Sequence, residues 1–386
     1  MTSEKIRVVF LIRSLEAGGA ERQLVELVRN LDHATFGISV FTFYPGGVLE
    51  SDLENLPGVR LRSARKAGRW DLVGFLVRSW RLMRIAKPHI VHGYMSGANE
   101  IAWLLGRAIG ARVVWGIRAS NMDLRRYDWM TRFLFTCGAW LSRRADLVIA
   151  NSRAGKRHHL QHGYAKANFM VIENGIDTVT YCRNIDSRER LRKQWGIGED
   201  QPVVGLVGRF DPMKDHETFL RAAAIAAARL PSTHFVFVGT GSVRRCAELQ
   251  ALARELGVGE HLTWAGAHRD MAAVYRAFDV ATSSSAFGEG FSNSLAEAMA
   301  CETVCVASDV GDARVIVGDT GEIIPPRDAD ALAEGWLKVL QAGPAERAER
   351  GRQARRRVVE HFSVSTLAAR TSEALLRVAA GQHPVP

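Results

Sequence analysis

No stretch of the 386 residues approaches the run of about 18 uninterrupted apolar side chains that a membrane-spanning helix needs. Cysteine is scarce and scattered: Cys137, Cys182, Cys246, Cys301 and Cys305 include no Cys-x-x-Cys pair. An odd, dispersed set argues against a disulfide framework and is tolerated in a reducing compartment. No charged segment followed by an apolar one opens the chain, so no secretory leader is expected. Val8–Ile12 reads instead as a first buried strand. Clustered His and Cys ligands, internal repeats and low-complexity tracts are also missing. These absences predict a cytoplasmic protein without a resident metal.

Hydrophobic residues make up 47% and charged residues 24%, a balance that supports two domains of roughly 100–200 residues each. The net charge of +10 is concentrated. Between Arg60 and Arg132 there are 15 Lys/Arg against 4 Asp/Glu, a local excess of 15 − 4 = +11. Basic stretches attract phosphate, nucleic acid or anionic lipid, and composition does not choose among them.

Short apolar runs alternate with helix-period segments. The expected strands are Val8–Ile12, Ile38–Tyr44, His89–His92, Val113–Ile117 and Leu147–Ala150, then Val203–Val207, His234–Val238, Val280–Thr282 and Val304–Ala307. Segments such as Ala20–Leu31 and Thr218–Leu230 read as the intervening helices. This alternation predicts α/β architecture, two doubly wound Rossmann-like domains facing a cleft. The expected limits are residues 1–178 and 200–362, with a boundary in Thr178–Pro202 and a last helix, about 363–380, returning to the first domain. Ligands of such sheets sit at the carboxyl ends of the strands.

Four strand-to-helix junctions carry residue types suited to a nucleoside diphosphate. Gly18-Gly19-Ala20-Glu21 opens a helix whose free N–H groups can face an anion, although paired glycines also serve plain turns. Gly208-Arg209 through Lys214 places an arginine fork and a lysine point charge beyond a strand, where Pro212 stiffens the loop. Gly239-Thr240-Gly241-Ser242 is a weaker signal of the same kind. The strongest runs from Ser283 to Met299: Glu289 in a glycine-rich loop, amides of Gly290, Phe291, Ser292 and Asn293 at a helix start, and Glu297 inside the helix. A helix cap accounts for one glutamate, not two.

The run Glu289–Glu297 resembles the E-x7-E motif of retaining GT-B glycosyltransferases, specifically glycosyltransferase family 4. Gly18-Gly19-Ala20-Glu21, Asn174-Gly175-Ile176-Asp177, Gly208-Arg209 with Lys214, and Val304–Gly311 resemble further elements of that family in the same order. The resemblance implies that Arg209 and Lys214 neutralise the leaving diphosphate and Glu289 contacts the transferred sugar. Gly18, Gly19 and the Gly290–Asn293 amides would bind the donor, and Glu297 the ribose hydroxyls. It further implies retention by front-face attack, no bound metal, no cofactor beyond the nucleotide-sugar (UDP expected), and a hexose-type product in cell-surface polysaccharide synthesis. Glu21, His92, Asn99 and Arg118 are the acceptor-side candidates.

Two positions depart from the family pattern. In His92-Gly93-Tyr94-Met95-Ser96-Gly97-Ala98-Asn99 the positions after His92 hold Tyr94 and Gly97, so His92 reads as a strand-end core histidine ahead of a catalytic one. Glu302 stands where the family commonly has glycine. The basic stretch includes Leu72–Ile85, with Leu72, Phe75, Leu76, Trp80 and Met83 expected on one face and Arg78, Arg81 and Arg84 on the other. A second stretch, Leu124–Arg144, mixes Trp129, Phe133, Phe135 and Trp140 with arginines. Either helix alone reads as ordinary domain packing; together they favour a glycan or lipid-linked acceptor and peripheral membrane contact. Nucleic acid is not expected, because no recognition motif accompanies the charge. A nucleotide-sugar epimerase and an inactive donor-binding subunit are the competing readings.

Overall fold

The computed structural model describes residues 4–118, 120 and 129–382. It divides into two compact units, Met1–Gly175 with Val364–Pro386, and Ile176–Ser363. The first unit is built on β1 (Ile6–Ile12), β2 (Phe36–Thr42), β3 (Arg60–Ser63), β4 (Ile90–Tyr94), β5 (Arg112–Ile117), β6 (Leu147–Ala150) and β7 (Phe169–Val171). All pair in parallel, in the order β3-β2-β1-β4-β5-β6-β7. Around them lie α1 (Gly19–Asn30), α2 (Glu50–Glu54), α3 (Val73–Ala86), α4 (Ala98–Ala108), α5 (Trp129–Leu141) and α6 (Arg153–Gln161).

The second unit carries β8 (Val203–Val207), β9 (His234–Val238), β10 (Leu262–Gly266), β11 (Val280–Ser283), β12 (Val304–Ser308) and β13 (Glu322–Ile324) in the parallel order β10-β9-β8-β11-β12-β13. Its helices are α7 (Ile185–Gln194), α8 (His216–Arg229), α9 (Val243–Glu255), α10 (Met271–Ala277), α11 (Asn293–Ala300), α12 (Ala313–Val317), α13 (Ala329–Gln341) and α14 (Pro344–His361). Each sheet therefore winds outward in both directions from its first strand. The order reverses between β1 and β4 and again between β8 and β11, the switch points where a crevice opens at the carboxyl ends.

The strand interiors explain this arrangement. Val8 to Ile12 are all buried, as a central parallel strand covered on both faces requires. One face of the first sheet packs Val8, Phe10 and Ile12 against Leu24, Leu27 and Val28 of α1. The final helix, α15 (Val364–Ala379), adds Leu367, Leu375 and Val378 to that same cluster, so the chain's last helix completes the first unit. In the second unit Phe235, Phe237, Phe219 and Trp336 fill one side of the sheet, and Leu295, Met299, Ile316 and Phe362 the other.

The stretch expected as a boundary, Thr178–Pro202, contains α7, which belongs to the second unit. Its Arg192 is 1% exposed and meets Asp279 at 2.6 Å; Arg188 reaches the other oxygen at 2.8 Å. Burial raises the Asp279 carboxyl, but the two guanidiniums outweigh it and hold the group below its ordinary range. The second unit thus begins at Ile176.

The faces of α3 differ from expectation. Phe75, Ser79 and Met83 turn inward, whereas Leu72 and Trp80 are exposed; Arg78 is held by Asp71 and the Ala64 carbonyl. Of the second basic stretch, Leu124 to Asp128 lie outside the described residues, Trp129, Phe133 and Trp140 are exposed, and Phe135 is buried. Among the described residues no helix is long and apolar enough to cross a membrane.

Candidate active site

Beyond the carboxyl ends of β8 and β11 the second unit assembles a charged cluster. Asp211 accepts from the Met213 amide and turns Pro212–Lys214 into a short 3-10 helix that aims Lys214 inward. Ser284 caps the same turn, its hydroxyl donating to the Lys214 carbonyl at 2.7 Å, and the Ala286 amide donates to the Met213 carbonyl at 2.9 Å. The Lys214 ammonium contacts Glu289 Oε1, which also accepts from Ser285 Oγ at 2.7 Å. Burial pushes the Glu289 carboxyl up; the Lys214 charge and the Lys214 and Ser285 hydrogen bonds outweigh it, leaving the group below its ordinary range. Glu289 is therefore an anion held ready, with little freedom to act as a proton-accepting base. Arg209 lies exposed on the loop between β8 and that turn.

The glycine at 311 fixes the loop that bears Glu289. At φ +67°, a Cβ there would stand 2.5 Å from the Glu289 carbonyl oxygen and 2.7 Å from that of Gly290, and the Asp312 amide donates to the Gly290 carbonyl at 3.0 Å. Only glycine lets the two backbones approach this closely. Gly290 and Phe291 then lead into α11, which has no acidic residue in its first turn, so its amides face the loop with a favourable dipole for an anion. The Phe291 ring packs against Phe362 at 5.3 Å, which limits its contribution to the backbone. Glu297 accepts from the Tyr275 hydroxyl at 2.8 Å. The buried Tyr275 hydroxyl is raised far above its ordinary value, by burial first and then by Glu297, so it stays a donor.

Sequence reasoning missed several members of this cluster. Ser284, Ser285 and Tyr275 were not singled out from sequence; the fold sets Ser284 against the Lys214 turn, Ser285 against Glu289, and Tyr275 of α10 against Glu297. His216, directly after the Lys214 turn, is fully buried against Phe210 and Phe237, with burial and then the nearby Arg245 and Lys214 holding it down to about 3. It adds no positive charge to the site at neutral pH. The one Asp-x-Asp of the chain, Asp328-Ala329-Asp330, begins α13, where Asp328 accepts from the Ala331 amide as a helix cap. Among the described residues no group of three His, Cys, Asp or Glu side chains could hold a metal.

The corresponding ends of β1 and β4 in the first unit hold the acceptor-side candidates. Gly18 and Gly19 begin α1 with Gly18 extended, and the Glu21 carboxylate folds back beside Gly18, where burial raises it. Asn99 is buried and clamps the backbone of Gly116, donating to its carbonyl and accepting from its amide, both at 3.2 Å. His92 is fully buried between Phe10 and Tyr94, and among the described residues neither ring nitrogen has a hydrogen-bond partner; burial and then Arg118 bring it down to about 3. Arg118 is the half-buried cation here, donating to the Tyr94 hydroxyl at 2.6 Å and Asn174 at 3.1 Å. Gln23, unsuspected from sequence, pairs with both backbone groups of Gly175 at 2.8 Å.

These two units define a class. Their folds match those of Anabaena Alr3699/HepE solved in complex with UDP (TM-score 0.84, 22% identity, 96% of this chain and 99% of that one) and of a Thermosynechococcus elongatus sucrose-phosphate synthase (TM-score 0.82, 22% identity, 97% and 100%). Residues 17–180 match the family model described as Glycosyltransferase Family 4, and residues 187–357 the model described as Glycosyl transferases group 1. The chain belongs to the glycosyltransferases of these two domain families, in the GT-B fold class. Among curated proteins it is 28% identical to a GDP-mannose-dependent alpha-(1-6)-phosphatidylinositol monomannoside mannosyltransferase of Mycolicibacterium smegmatis, over 76% of this chain and 79% of that one. It is 27% identical to a D-inositol 3-phosphate glycosyltransferase of Mycobacterium bovis, over 94% and 78%.

Proposed function

We propose that the protein transfers a hexose from a nucleoside-diphosphate sugar to a phosphate-bearing or lipid-linked saccharide acceptor, with retention of anomeric configuration and without a metal. The observation that carries this reading is the Lys214–Glu289–Ser285 cluster beside the α11 amino terminus. An ammonium has three donors, so Lys214 can bridge Glu289 and an incoming phosphate oxygen. Arg209 and the Gly290–Asn293 amides supply the remaining counter-charge. The donor's anomeric carbon–phosphate oxygen bond breaks as the acceptor oxygen bonds to the same face, and the acceptor proton passes to the departing phosphate. That chemistry calls for positioned charge more than for a strong base.

Glu297 is assigned to the ribose hydroxyls, with Tyr275 fixing its carboxylate. Arg118 is assigned to an anionic group of the acceptor, a reading supported by relatives acting on inositol phosphate and phosphatidylinositol mannoside. The structural neighbour solved with UDP supports a uridine donor and the GDP-mannose-dependent relative supports a guanosine donor, so both belong in the first assay. A cytoplasmic enzyme working at a membrane face on cell-surface polysaccharide fits this reading. The test is transfer from UDP-glucose and GDP-mannose to a crude lipid-saccharide extract, followed by proton NMR of the new linkage. An α-linkage formed from an α-linked donor is the expected product. A β-linkage, or release of nucleotide with no product from either donor, would contradict it.

A further inference from the structure

Met213 joins the two loops that carry the charged pair. Its amide donates to Asp211 Oδ1 at 2.9 Å, and its carbonyl accepts from the Ala286 amide at 2.9 Å. Its half-buried side chain lies against the backbone of Gly288. That glycine has φ +80°, and a Cβ built on it would stand 2.6 Å from Met213 Sδ and 3.1 Å from Met213 Cγ. The thioether therefore fills the space that a side chain at 288 would need. Lys214 follows Met213 directly and Glu289 follows Gly288 directly, so this contact lies one residue from each partner of the ion pair.

The Lys214 ammonium sits at the end of a flexible stem, and its place depends on the separation between its own turn and the Glu289 loop. An unbranched thioether suits that junction, because it follows an irregular backbone and packs closely on it. A shorter side chain would leave a gap across which the turn could shift. A displacement of about 1 Å in a positioned charge is enough to cost a large factor in binding or rate.

We propose that Met213 is a positioning residue for the donor's terminal phosphate: its thioether, seated on Gly288, sets the gap between the two loops and so fixes where Lys214 meets that phosphate. This role rests on the donor-site reading above and acts through Lys214. It also makes the sulfur a point of chemical control. A hydroperoxide transfers one oxygen atom to Sδ and departs as water or an alcohol; the thioether loses two electrons and becomes a polar sulfoxide. The added oxygen needs room on a side chain already pressed against Gly288, so oxidation loosens the same contact.

The test is calorimetric titration of the full chain, well below its melting temperature, with UDP and UMP and with GDP and GMP. Only the diphosphates carry the phosphate assigned to Lys214, so wild type should prefer one of them to its monophosphate. Met213→Ala should lose about tenfold of that preference with monophosphate affinity unchanged, whereas Met213→Leu, of similar volume, should keep it. Gly288→Ala should lose it as well. Combining Gly288→Ala with Met213→Ala should recover part of the loss, because the new methyl enters the vacated space. Wild type treated with hydrogen peroxide, its Met213 sulfoxide confirmed by peptide mass, should behave as Met213→Ala does. Equal loss of mono- and diphosphate binding in Met213→Ala would mark ordinary packing damage and overturn the proposal. So would an undiminished preference in Met213→Ala or in the sulfoxide, or single losses that simply add in the double variant. If Lys214→Ala loses the preference while Met213→Ala keeps it, the donor site stands and the role of Met213 falls; if Lys214→Ala keeps it, both fall.

Discussion

At the ends of β8 and β11 the second unit brings opposite charges together on a rigid loop. At the ends of β1 and β4, in the same strand order, the first unit commits its polar side chains to its own backbone. Lys214 and Glu289 hold each other at the loop, whereas Asn99 holds Gly116, Gln23 holds Gly175, and His92 is enclosed by rings. One doubly wound frame therefore supports two different uses of its switch point. In the second unit the preorganised charge is available to a ligand; in the first, shape is set by packing, and Arg118 and the Gly18–Glu21 turn are among the polar groups it offers. This explains why the donor chemistry can be read closely and the acceptor only as a class.

The comparison breaks most visibly at Lys214. Lys214→Ala and Glu289→Gln should each lower kcat/KM for transfer by roughly 10²-fold or more, the usual consequence of removing one positioned electrostatic partner. Steady-state rates with a fixed donor check this. Equal losses from His92→Phe would place the chemistry in both units. In the first unit, Asn99→Ala should instead cost stability, about 1–3 kcal/mol for the buried Gly116 groups it leaves unpaired, with nucleotide affinity unchanged. Denaturant unfolding and nucleotide titration together separate the two effects.

The two units converge in one respect, each enclosing a neutral histidine held down to about 3, His92 and His216. An unfolded histidine titrates near 6.5, so between that pH and about 3 the unfolded chain binds the extra proton. Stability should therefore fall as pH drops below about 6.5, by up to ~1.4 kcal/mol per pH unit for each histidine. His216→Phe should flatten that slope for the second unit and His92→Phe for the first; a slope unchanged in both variants would assign the acid sensitivity elsewhere. Glu289 acts later, since a depressed carboxyl keeps its charge until pH falls below the ordinary carboxylate range. The smallest expected effect is at Glu302, which follows α11 with φ +64° in the left-handed region. Glu302→Gly should raise stability by about 0.5–1 kcal/mol, less the added freedom of the unfolded chain. Differential scanning calorimetry would resolve it.

The central strands were legible because burial on both faces writes them as continuous apolar runs. The four strands not anticipated, β3, β7, β10 and β13, are the outermost of the two sheets. Edge strands are short and partly polar: Arg60–Ser63 alternates exposed and half-buried residues, and β7 and β13 have three residues each. Glu289, Arg209 and Lys214 stood out because charge near glycine in a strand-end loop has few structural uses, and Glu297 by its spacing from Glu289; the structure brings Lys214 to Glu289 and Tyr275 to Glu297. Tyr275 and Gly311 did not stand out, since their roles depend on Glu297, 22 residues from Tyr275, and on the similarly distant Glu289 backbone; Ser285 did not, because only the folded loop turns its hydroxyl to Glu289. Trp80 was placed on the wrong side of α3 because its spacing fits either face, and the packing of Phe75 and Met83 decides which one turns inward.

The most direct measurement is the thermal shift of wild type and Lys214→Ala with UDP, GDP and ADP. Ligand at about 100 times its dissociation constant should stabilise the folded state by ~2.7 kcal/mol. The account predicts that one nucleoside diphosphate raises the wild-type melting temperature and that Lys214→Ala loses most of that rise while remaining folded. No shift with any nucleotide, or an equal shift in the variant, would contradict a donor site at the second unit's charged loop.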